Sequence, residues 1–259
     1  MNRIASAFEK GKAFIAFITC GDPDAETTVR AVRSAVKNGA DLIELGIPFS
    51  DPTAEGPVIQ EASLRALQGG MTTDGAFAVV RELRRDVTVP MVFMTYANVI
   101  FSYGAERFIA RCAEEGIDGL ILPDLPYEEK EEFGPLCRRH GVTLISMIAP
   151  TSENRTAMIA REAEGFLYLV SSLGVTGTRS EITTDLRPIL RVIRQSTKVP
   201  VAVGFGISTP EQARAMAAIS DGAIVGSAIE KILARRGREA PEEIGAYVRA
   251  MKEGVRAAE

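Results

Sequence analysis

Eight short apolar runs alternate along the chain with longer segments whose apolar residues recur every three or four positions. The short runs have the length and the β-branched content of buried strands, and the longer segments have the periodicity of amphipathic helices. This rhythm predicts parallel strands joined by helices. The predicted strands are Phe14–Thr19, Leu42–Leu45, Met91–Thr95, Gly119–Leu122, Leu144–Ile148, Phe166–Val170, Val201–Gly204 and Ala223–Val225.

Eight such units in 259 residues predict an α/β fold with a single (β/α)8 TIM barrel domain over residues 1–259. No linker rich in Ser, Pro or Gly and no run of like charges divides the chain. An open, doubly wound sheet is the alternative. Its glycine-rich dinucleotide fingerprint is missing after the first predicted strand, where the segment TCGDP stands at 19–23.

The composition excludes several kinds of chemistry. With 30 basic and 34 acidic residues, the formal charge of −4 provides no electrostatic footprint for nucleic acid or an anionic membrane. One histidine, His140, and three isolated cysteines, Cys20, Cys112 and Cys137, disfavour a zinc or iron site and a disulfide framework. The isolated cysteines, and the lack of a signal peptide or a spanning segment, predict a cytoplasmic protein.

In a barrel of this kind the functional residues lie where the strands end, on the carboxyl side. His140 falls at the end of a predicted helix and before the fifth strand, so we expect it to stabilise that helix terminus. No lysine ends a predicted strand, which disfavours a Schiff-base aldolase. Carboxylates remain as the candidate acids and bases.

Two glutamates are the candidate catalytic groups. Along the second strand Leu42 and Glu44 share one face and Ile43 and Leu45 share the other, so Glu44 is predicted to point into the barrel. An apolar surrounding disfavours the charged form and moves the pKa of a carboxyl toward neutrality. Glu55 follows in a loop restrained by proline and glycine, which places it over the barrel mouth unless that loop is merely a solvated connection.

Glycine-rich segments after the seventh and eighth strands predict a phosphate site. The segments are GFGIS at 204–208 and GSAIE at 226–230, and the second opens a helix. Glycine lets backbone N–H groups approach an anion, and a helix N-terminus adds a positive dipole. Alternatively, Ser227 is the N-cap of that helix in a capping box with Glu230. The polar segment 171–184 after the sixth strand is interpreted as a closing loop, or else as a plain connector.

Nearly the whole chain resembles the tryptophan synthase α subunits. The segments that carry the resemblance are FITCGDP at 17–23, ELGIPFSDPTAEGP at 44–57, YAN at 96–98, PDLP at 123–126, GVTG at 174–177, GFGIS at 204–208 and GSAI at 226–229. The resemblance implies a phosphate-binding barrel that cleaves indole-3-glycerol phosphate to indole and glyceraldehyde 3-phosphate, with neither a metal nor an organic cofactor of its own.

Residue roles follow from the resemblance. It implies Glu44 and Glu55 as the catalytic pair, with Glu44 protonating indole C3 and accepting the proton of the adjacent hydroxyl, and Glu55 facing the indole N–H. The second acid of the family is more often aspartate, so Glu55 has a reach that is longer by one methylene, about 1.5 Å. The other implied residues are Gly177, Gly206, Gly226 and Ser227 for phosphate, and Phe17, Tyr96, Tyr168 and the closing-loop Thr176 for indole.

The resemblance also implies a partner, a pyridoxal-phosphate-dependent β subunit that receives indole in an α2β2 assembly. Pro48 and Asp51 match the loop that meets this partner. Two other functions remain open at this point. One is a different phosphate-binding barrel, such as a sugar-phosphate isomerase or epimerase, and the other is a weakly active subunit that mainly activates its partner.

Overall fold

The apolar runs form eight parallel strands in a computed structural model that describes residues 3–150, 152–171, 185–204 and 206–258. Consecutive strands pair in chain order, and β8 pairs with β1 to close the barrel, so the open-sheet alternative is wrong. The predicted strand bounds are confirmed to within one residue at each end. The strands are β1 Ala13–Thr19, β2 Leu42–Gly46, β3 Met91–Met94, β4 Gly119–Ile121, β5 Thr143–Ile148, β6 Leu167–Val170, β7 Val201–Gly204 and β8 Gly222–Val225.

Helices cover the outside of the barrel. Local signals place their ends: Asp24 caps the first helix by accepting a 2.7 Å hydrogen bond from Thr27 N, and Gly116 and Gly141 end two others in the left-handed conformation. None of the described helices is long and apolar enough to cross a bilayer. They are α1 Ala25–Lys37, α2 Pro57–Gln68, α3 Thr73–Leu83, α4 Ala97–Tyr103, α5 Ala105–Glu115, α6 Gly134–His140, α7 Glu153–Arg161, α8 Arg187–Ser196, α9 Pro210–Ile219, α10 Ser227–Arg236 and α11 Ala240–Arg256.

Successive side chains along each strand point alternately into the barrel and into the layer under the helices, which gives an interior core and an outer core. Ile43 and Leu45 pack in the outer cluster, whereas Leu42 packs in the interior cluster. Glu44 lies opposite Phe17 of β1 in the strand register, and Phe17 belongs to the interior cluster. Glu44 therefore points into the barrel, as the sequence predicts.

The single histidine and the cysteines lie away from the barrel mouth or are buried in packing. His140 is the last residue of α6, three residues before β5 begins, and its Nε2 lies 2.6 Å from Glu106 Oε1. Cys20, Cys112 and Cys137 are buried and free of disulfides, as the sequence predicts. Neither the histidine nor these cysteines are therefore candidate acids or bases for a reaction at the barrel mouth.

Candidate active site

Glu44 is a buried acid inside the barrel mouth. Its residue is 1% exposed, and it lines a small cavity with Phe17, Ile59, Met94 and Tyr168 among others. Burial, and then the charge of Glu55, raises the pKa of Glu44 to about 8. The carboxyl is therefore mainly protonated at pH 7. Its Oε2 is buried and has no hydrogen-bond partner among the described residues, so this oxygen is available to a substrate.

Glu55 is the second acid, and a tyrosine on another strand–helix unit orients it. The Tyr96 hydroxyl donates a hydrogen bond to Glu55 Oε2 and accepts bonds from Thr53 N at 3.0 Å and Ala54 N at 2.9 Å. Gln60 Nε2 donates to the Glu55 carbonyl at 2.8 Å, which ties the loop to the first turn of α2. These bonds hold both the side chain and the loop in place over the mouth.

Opposing effects act on the Glu55 carboxyl. Burial raises its pKa most, the backbone N–H groups of Glu55 and Ala54 lower it, and the charge of Asp124 raises it again, to a pKa of about 7. Asp124 stands at the N-terminus of α4, where both of its carboxylate oxygens accept from Ala97 N at 3.1 Å. At pH 7 Glu55 therefore carries a substantial negative charge while Glu44 is mainly protonated.

The two carboxyl groups lie in adjacent cavities of one site. The cavity at Glu44 has a volume of about 30 Å³ and the cavity at Glu55 about 10 Å³. Both are lined by Phe17, Ile59 and Met94, so these three side chains form the wall between the acids.

Two predicted aromatic residues lie where neighbouring strands carry glycine. A Cβ at Gly46 would come within 2.6 Å of Phe17 Cζ, and a Cβ at Gly226 would come within 3.1 Å of Phe17 Cδ1. A Cβ at Gly204 would come within 2.4 Å of the Tyr168 hydroxyl oxygen. The absence of a side chain at these glycines is what allows both rings to lie across the barrel mouth. Burial and then the charges of the two glutamates raise the pKa of Tyr168 well above its usual value, so its phenol stays neutral.

Three of the predicted phosphate residues are brought to the Glu44 cavity. Gly206, Gly226 and Ser227 all line it. Gly206 has a φ of +87°, which favours glycine, and Gly226 is the N-cap of α10. The N-cap alternative for Ser227 is wrong: the helix begins at Ser227 and has no side-chain cap, while Glu230 reaches the backbone of β1. Thr176 and Gly177 lie outside the described residues.

The loop predicted to meet a partner lies beside the same mouth. Pro48 is buried and Asp51 is exposed, and Ser50 Oγ donates to the Asp51 carboxylate at 2.5 Å. Phe49 packs on Tyr96 with ring centroids 5.1 Å apart. The loop therefore contacts the tyrosine that orients Glu55. Within the described ranges, no group of three or more His, Cys, Asp or Glu side chains could hold a metal ion.

Sequence reasoning assigned Tyr96 to the indole pocket and missed its bond to Glu55. The two residues are 41 positions apart, and no local pattern pairs them. Only the order of the predicted strands carries a signal, because the loops after β2 and β3 are neighbours at the mouth.

Replacing Tyr96 with phenylalanine is expected to lower the kcat of the reaction at this site about tenfold and to raise the pKa of Glu55. The change removes a donor to the carboxylate and an acceptor for Thr53 N and Ala54 N, so the charged form of Glu55 is less stable. The acid limb of kcat/KM should move to higher pH. Tyr103→Phe, which loses hydroxyl bonds to the exposed Asp74 and to Arg111 but none to Glu55, is the control. An unchanged pH profile for Tyr96→Phe would show that Tyr96 does not orient Glu55.

Comparison with known proteins places this site in a family. The sequence pattern of the family described as "Tryptophan synthase alpha chain" matches residues 4–257. The tryptophan synthase alpha chain of Lacticaseibacillus casei is 47% identical over 255 residues, which is 98% of this chain and 96% of that protein. The alpha chain of Geotalea uraniireducens is 45% identical over 264 residues, with 99% of each chain covered.

Solved structures agree. The crystal structure of tryptophan synthase subunit alpha from Legionella pneumophila has a TM-score of 0.87 and 37% identity, and 99% of each chain is covered. A chain from the tryptophan synthase complex of Pyrococcus furiosus has a TM-score of 0.86 and 37% identity over 94% of this chain and 99% of that one. Identity and coverage at these levels extend over the whole barrel. The chain belongs to the tryptophan synthase alpha chain family.

Proposed function

We propose that this chain cleaves indole-3-glycerol phosphate to indole and glyceraldehyde 3-phosphate, and that Glu44 and Glu55 carry out the acid–base chemistry. The observation that carries the proposal is the pair of buried carboxyls at one barrel mouth, in adjacent cavities that share three lining residues. Burial raises the pKa of both carboxyls toward neutrality, that of Glu44 more than that of Glu55. The glycine-rich helix terminus beside Glu44 supplies a phosphate site next to them.

Glu44 transfers the two protons that cleavage of the C–C bond requires. Breaking the bond between indole C3 and the glycerol chain would leave negative charge on C3 unless C3 is protonated first. Glu44 enters the reaction protonated, gives its proton to C3, and then takes the proton of the adjacent side-chain hydroxyl as the C–C bond breaks. The acid is regenerated in one turnover, so no other proton donor is required.

Glu55 stabilises the charge that develops on the ring. Protonation at C3 makes the indole nitrogen part of an iminium-like cation, whose N–H carries positive charge. A carboxylate fixed by Tyr96 beside this N–H stabilises the intermediate more than the substrate, which lowers the barrier. The substrate's own ring is the electron sink, and the step needs no metal or organic cofactor.

The phosphate end is held by backbone groups rather than by a basic patch. In this proposal Gly206, Gly226 and Ser227 bind the phosphate together with Gly177, and the N-terminal dipole of α10 adds to the attraction. Phe17 and Tyr168 flank the indole ring, and Thr176 belongs to the segment that closes over the substrate. The net charge of −4 is compatible with such a local site.

Replacing Gly226 with alanine is expected to raise KM for indole-3-glycerol phosphate about tenfold with a smaller effect on kcat. The new Cβ would lie 3.1 to 3.3 Å from Phe17, so the Phe17 ring or residue 226 must shift and the spacing between the proposed indole and phosphate positions changes. Steady-state kinetics measure the change.

The matched control is Gly134→Ala on α6. Its Cβ would meet only the flexible end of Arg138, so activity should stay at the wild-type level. A wild-type KM in Gly226→Ala would remove Gly226 from the phosphate site.

We further propose that the chain acts in an α2β2 assembly with a β subunit that binds pyridoxal phosphate and receives the indole. One of the similar solved structures is described as the tryptophan synthase a2b2 complex from Pyrococcus furiosus. Pro48 and Asp51 are the proposed contact residues, because their loop precedes Glu55 and packs on Tyr96 through Phe49. A cytoplasmic location is part of the proposal and is supported by three buried, unpaired cysteines.

Indole release from indole-3-glycerol phosphate, measured with and without a β subunit, tests this function. We expect release by the chain alone and faster release in the complex. A chain that instead interconverts triose or pentose phosphates would support a barrel isomerase or epimerase. A chain that releases no indole alone, yet accelerates its β subunit, would support the regulatory alternative.

A further inference from the structure

A buried acid outside the catalytic pair, Glu230, connects three parts of the site. It lies in the first turn of α10, three residues after Ser227, and is 0% exposed. Its Oε1 accepts a 2.7 Å hydrogen bond from Thr19 N at the end of β1. Its Oε2 is buried without a hydrogen-bond partner among the described residues. The proposed mechanism gives this carboxyl no proton to transfer.

The bond to Thr19 replaces a missing strand partner. Cys20 N donates to Gly46 O on β2, so the neighbouring Thr19 N points toward the β8 side of β1. β8 ends at Val225, and the chain then turns into α10. Glu230 therefore supplies the acceptor that β8 no longer provides, and it joins the start of α10 to the end of β1.

Asp22 extends the connection from Thr19 to helix α2, because Asp22 N donates a hydrogen bond to Thr19 O at 3.4 Å. Asp22 is 0% exposed. Its carboxylate accepts hydrogen bonds from Arg65 Nε at 2.8 Å and Arg65 Nη2 at 2.7 Å, which form a bidentate ion pair between the loop after β1 and helix α2. Burial, and then the charge of Asp22, raises the pKa of Glu230 to about 8. Glu230 is thus mainly neutral at pH 7, and the Asp22–Arg65 pair beside it balances its own charge.

Each of the three joined elements carries one part of the proposed site. α10 begins with the phosphate residues at 226 and 227, and α2 begins at Pro57, two residues after Glu55. β1 carries Phe17, two residues before Thr19. α2, α10 and β1 also pack directly on one another. Ser227 and Glu230 are three residues apart on the same helix, about 4.5 Å along its axis. A shift of Glu230 therefore also moves the start of α10, which carries the proposed phosphate residues.

We propose that Glu230 is a positioning residue: through Thr19 and the Asp22–Arg65 pair it sets the spacing between the phosphate-binding start of α10 and Glu55. This inference rests on the proposed function. A substrate held at its phosphate by α10 reaches Glu55 with its indole N–H only if that spacing is correct, and a misplacement of about 1 Å can cost about 10²-fold in rate.

The test compares Glu230→Gln with Glu230→Leu in the full chain assembled with its β subunit. Glutamine is neutral and can accept from Thr19 N, so kcat should stay within threefold of wild type. Leucine has a similar volume and no acceptor, so kcat should fall at least tenfold. The inhibition constant of glycerol 3-phosphate, which probes the phosphate end alone, should change less than threefold in both variants.

Two further variants keep the test decisive if Glu230→Leu does not fold. Arg65→Lys keeps the positive charge at a partly exposed position and loses the bidentate geometry, so kcat should fall about three- to tenfold. Lys252 lies on α11 and pairs with Asp41, which immediately precedes β2, far from the mouth. Lys252→Gln breaks this partly buried ion pair and should lower the thermal midpoint without changing kcat.

Glu230→Leu or Arg65→Lys with wild-type kcat would overturn the inference, as would a glutamine variant as inactive as the leucine variant. A fall in kcat for Lys252→Gln equal to that of Glu230→Leu would also overturn it, because general destabilisation would then explain both. A wild-type chain that releases no indole would contradict the proposed function instead, whatever the variants do.

Discussion

Glu44→Gln is expected to lower kcat for indole release by about 10³-fold while KM changes only a few-fold. Glutamine keeps the shape of the side chain but can neither give a proton to C3 nor take one from the hydroxyl, and general acid–base groups contribute about 10² to 10⁴ in rate. Glu44 serves in both roles, so the effect should lie in the upper part of that range. Steady-state indole release and glycerol 3-phosphate binding measure the two quantities.

Glu230→Gln is the matched control, because Glu230 is equally buried and its pKa is also raised to about 8.

The pH dependence of stability gives a second test of Glu44. The raised pKa of Glu44 means that its contribution to wild-type stability is full below the unfolded value of 4.5 and is lost as pH rises through about 8. Glu44→Gln should therefore have a higher unfolding midpoint than wild type at pH 9, with no such gain at pH 4. Activity within tenfold of wild type would remove Glu44 from the mechanism.

Glu55→Gln is expected to lower kcat by about 10² to 10³-fold, the range typical for removing one electrostatic partner of a developing charge. The amide stays close to Tyr96 but cannot balance the positive N–H. The acid limb of the pH profile should also disappear, because the group whose pKa is about 7 is gone. Both effects are measured on the same kinetic data.

Glu55→Asp is the control for reach, because it separates the charge at residue 55 from the length of the side chain. It keeps the charge and shortens the side chain by one methylene, so its carboxylate withdraws from Tyr96. We expect kcat between those of wild type and Glu55→Gln, with the acid limb retained. Equal activity of the Gln and Asp variants would show that the charge at residue 55 has no role in the reaction.

The barrel fold and the inward orientation of Glu44 follow from local patterns in the sequence. Strand alternation predicts that Glu44 faces the interior, because Ile43 and Leu45 must meet the helices. All eight strands are found because parallel strands buried on both faces leave continuous apolar runs. Their ends shift by one residue, as at Ala13, since hydrogen bonding to the neighbouring strand decides them.

The remaining contacts depend on residues that are far apart in sequence. Sequence places Glu55 only in a loop, whereas its orientation comes from Tyr96 on the next strand–helix unit. Ser227 and Glu230 have the spacing of a capping box, which is a local interpretation. Thr19 N, 211 positions away, competes successfully for the Glu230 carboxyl because β8 has ended beside it. Such a bond has no signature in either segment.

The pH dependence of kcat/KM for indole release tests the acid–base pair most directly. Glu44 must be protonated, which holds below pH about 8, and Glu55 must be ionised, which holds above pH about 7. The account predicts a bell with its maximum between these values, and loss of the acid limb alone in Glu55→Gln. A profile that is flat from pH 6 to 9, or an acid limb that persists in Glu55→Gln, would contradict it.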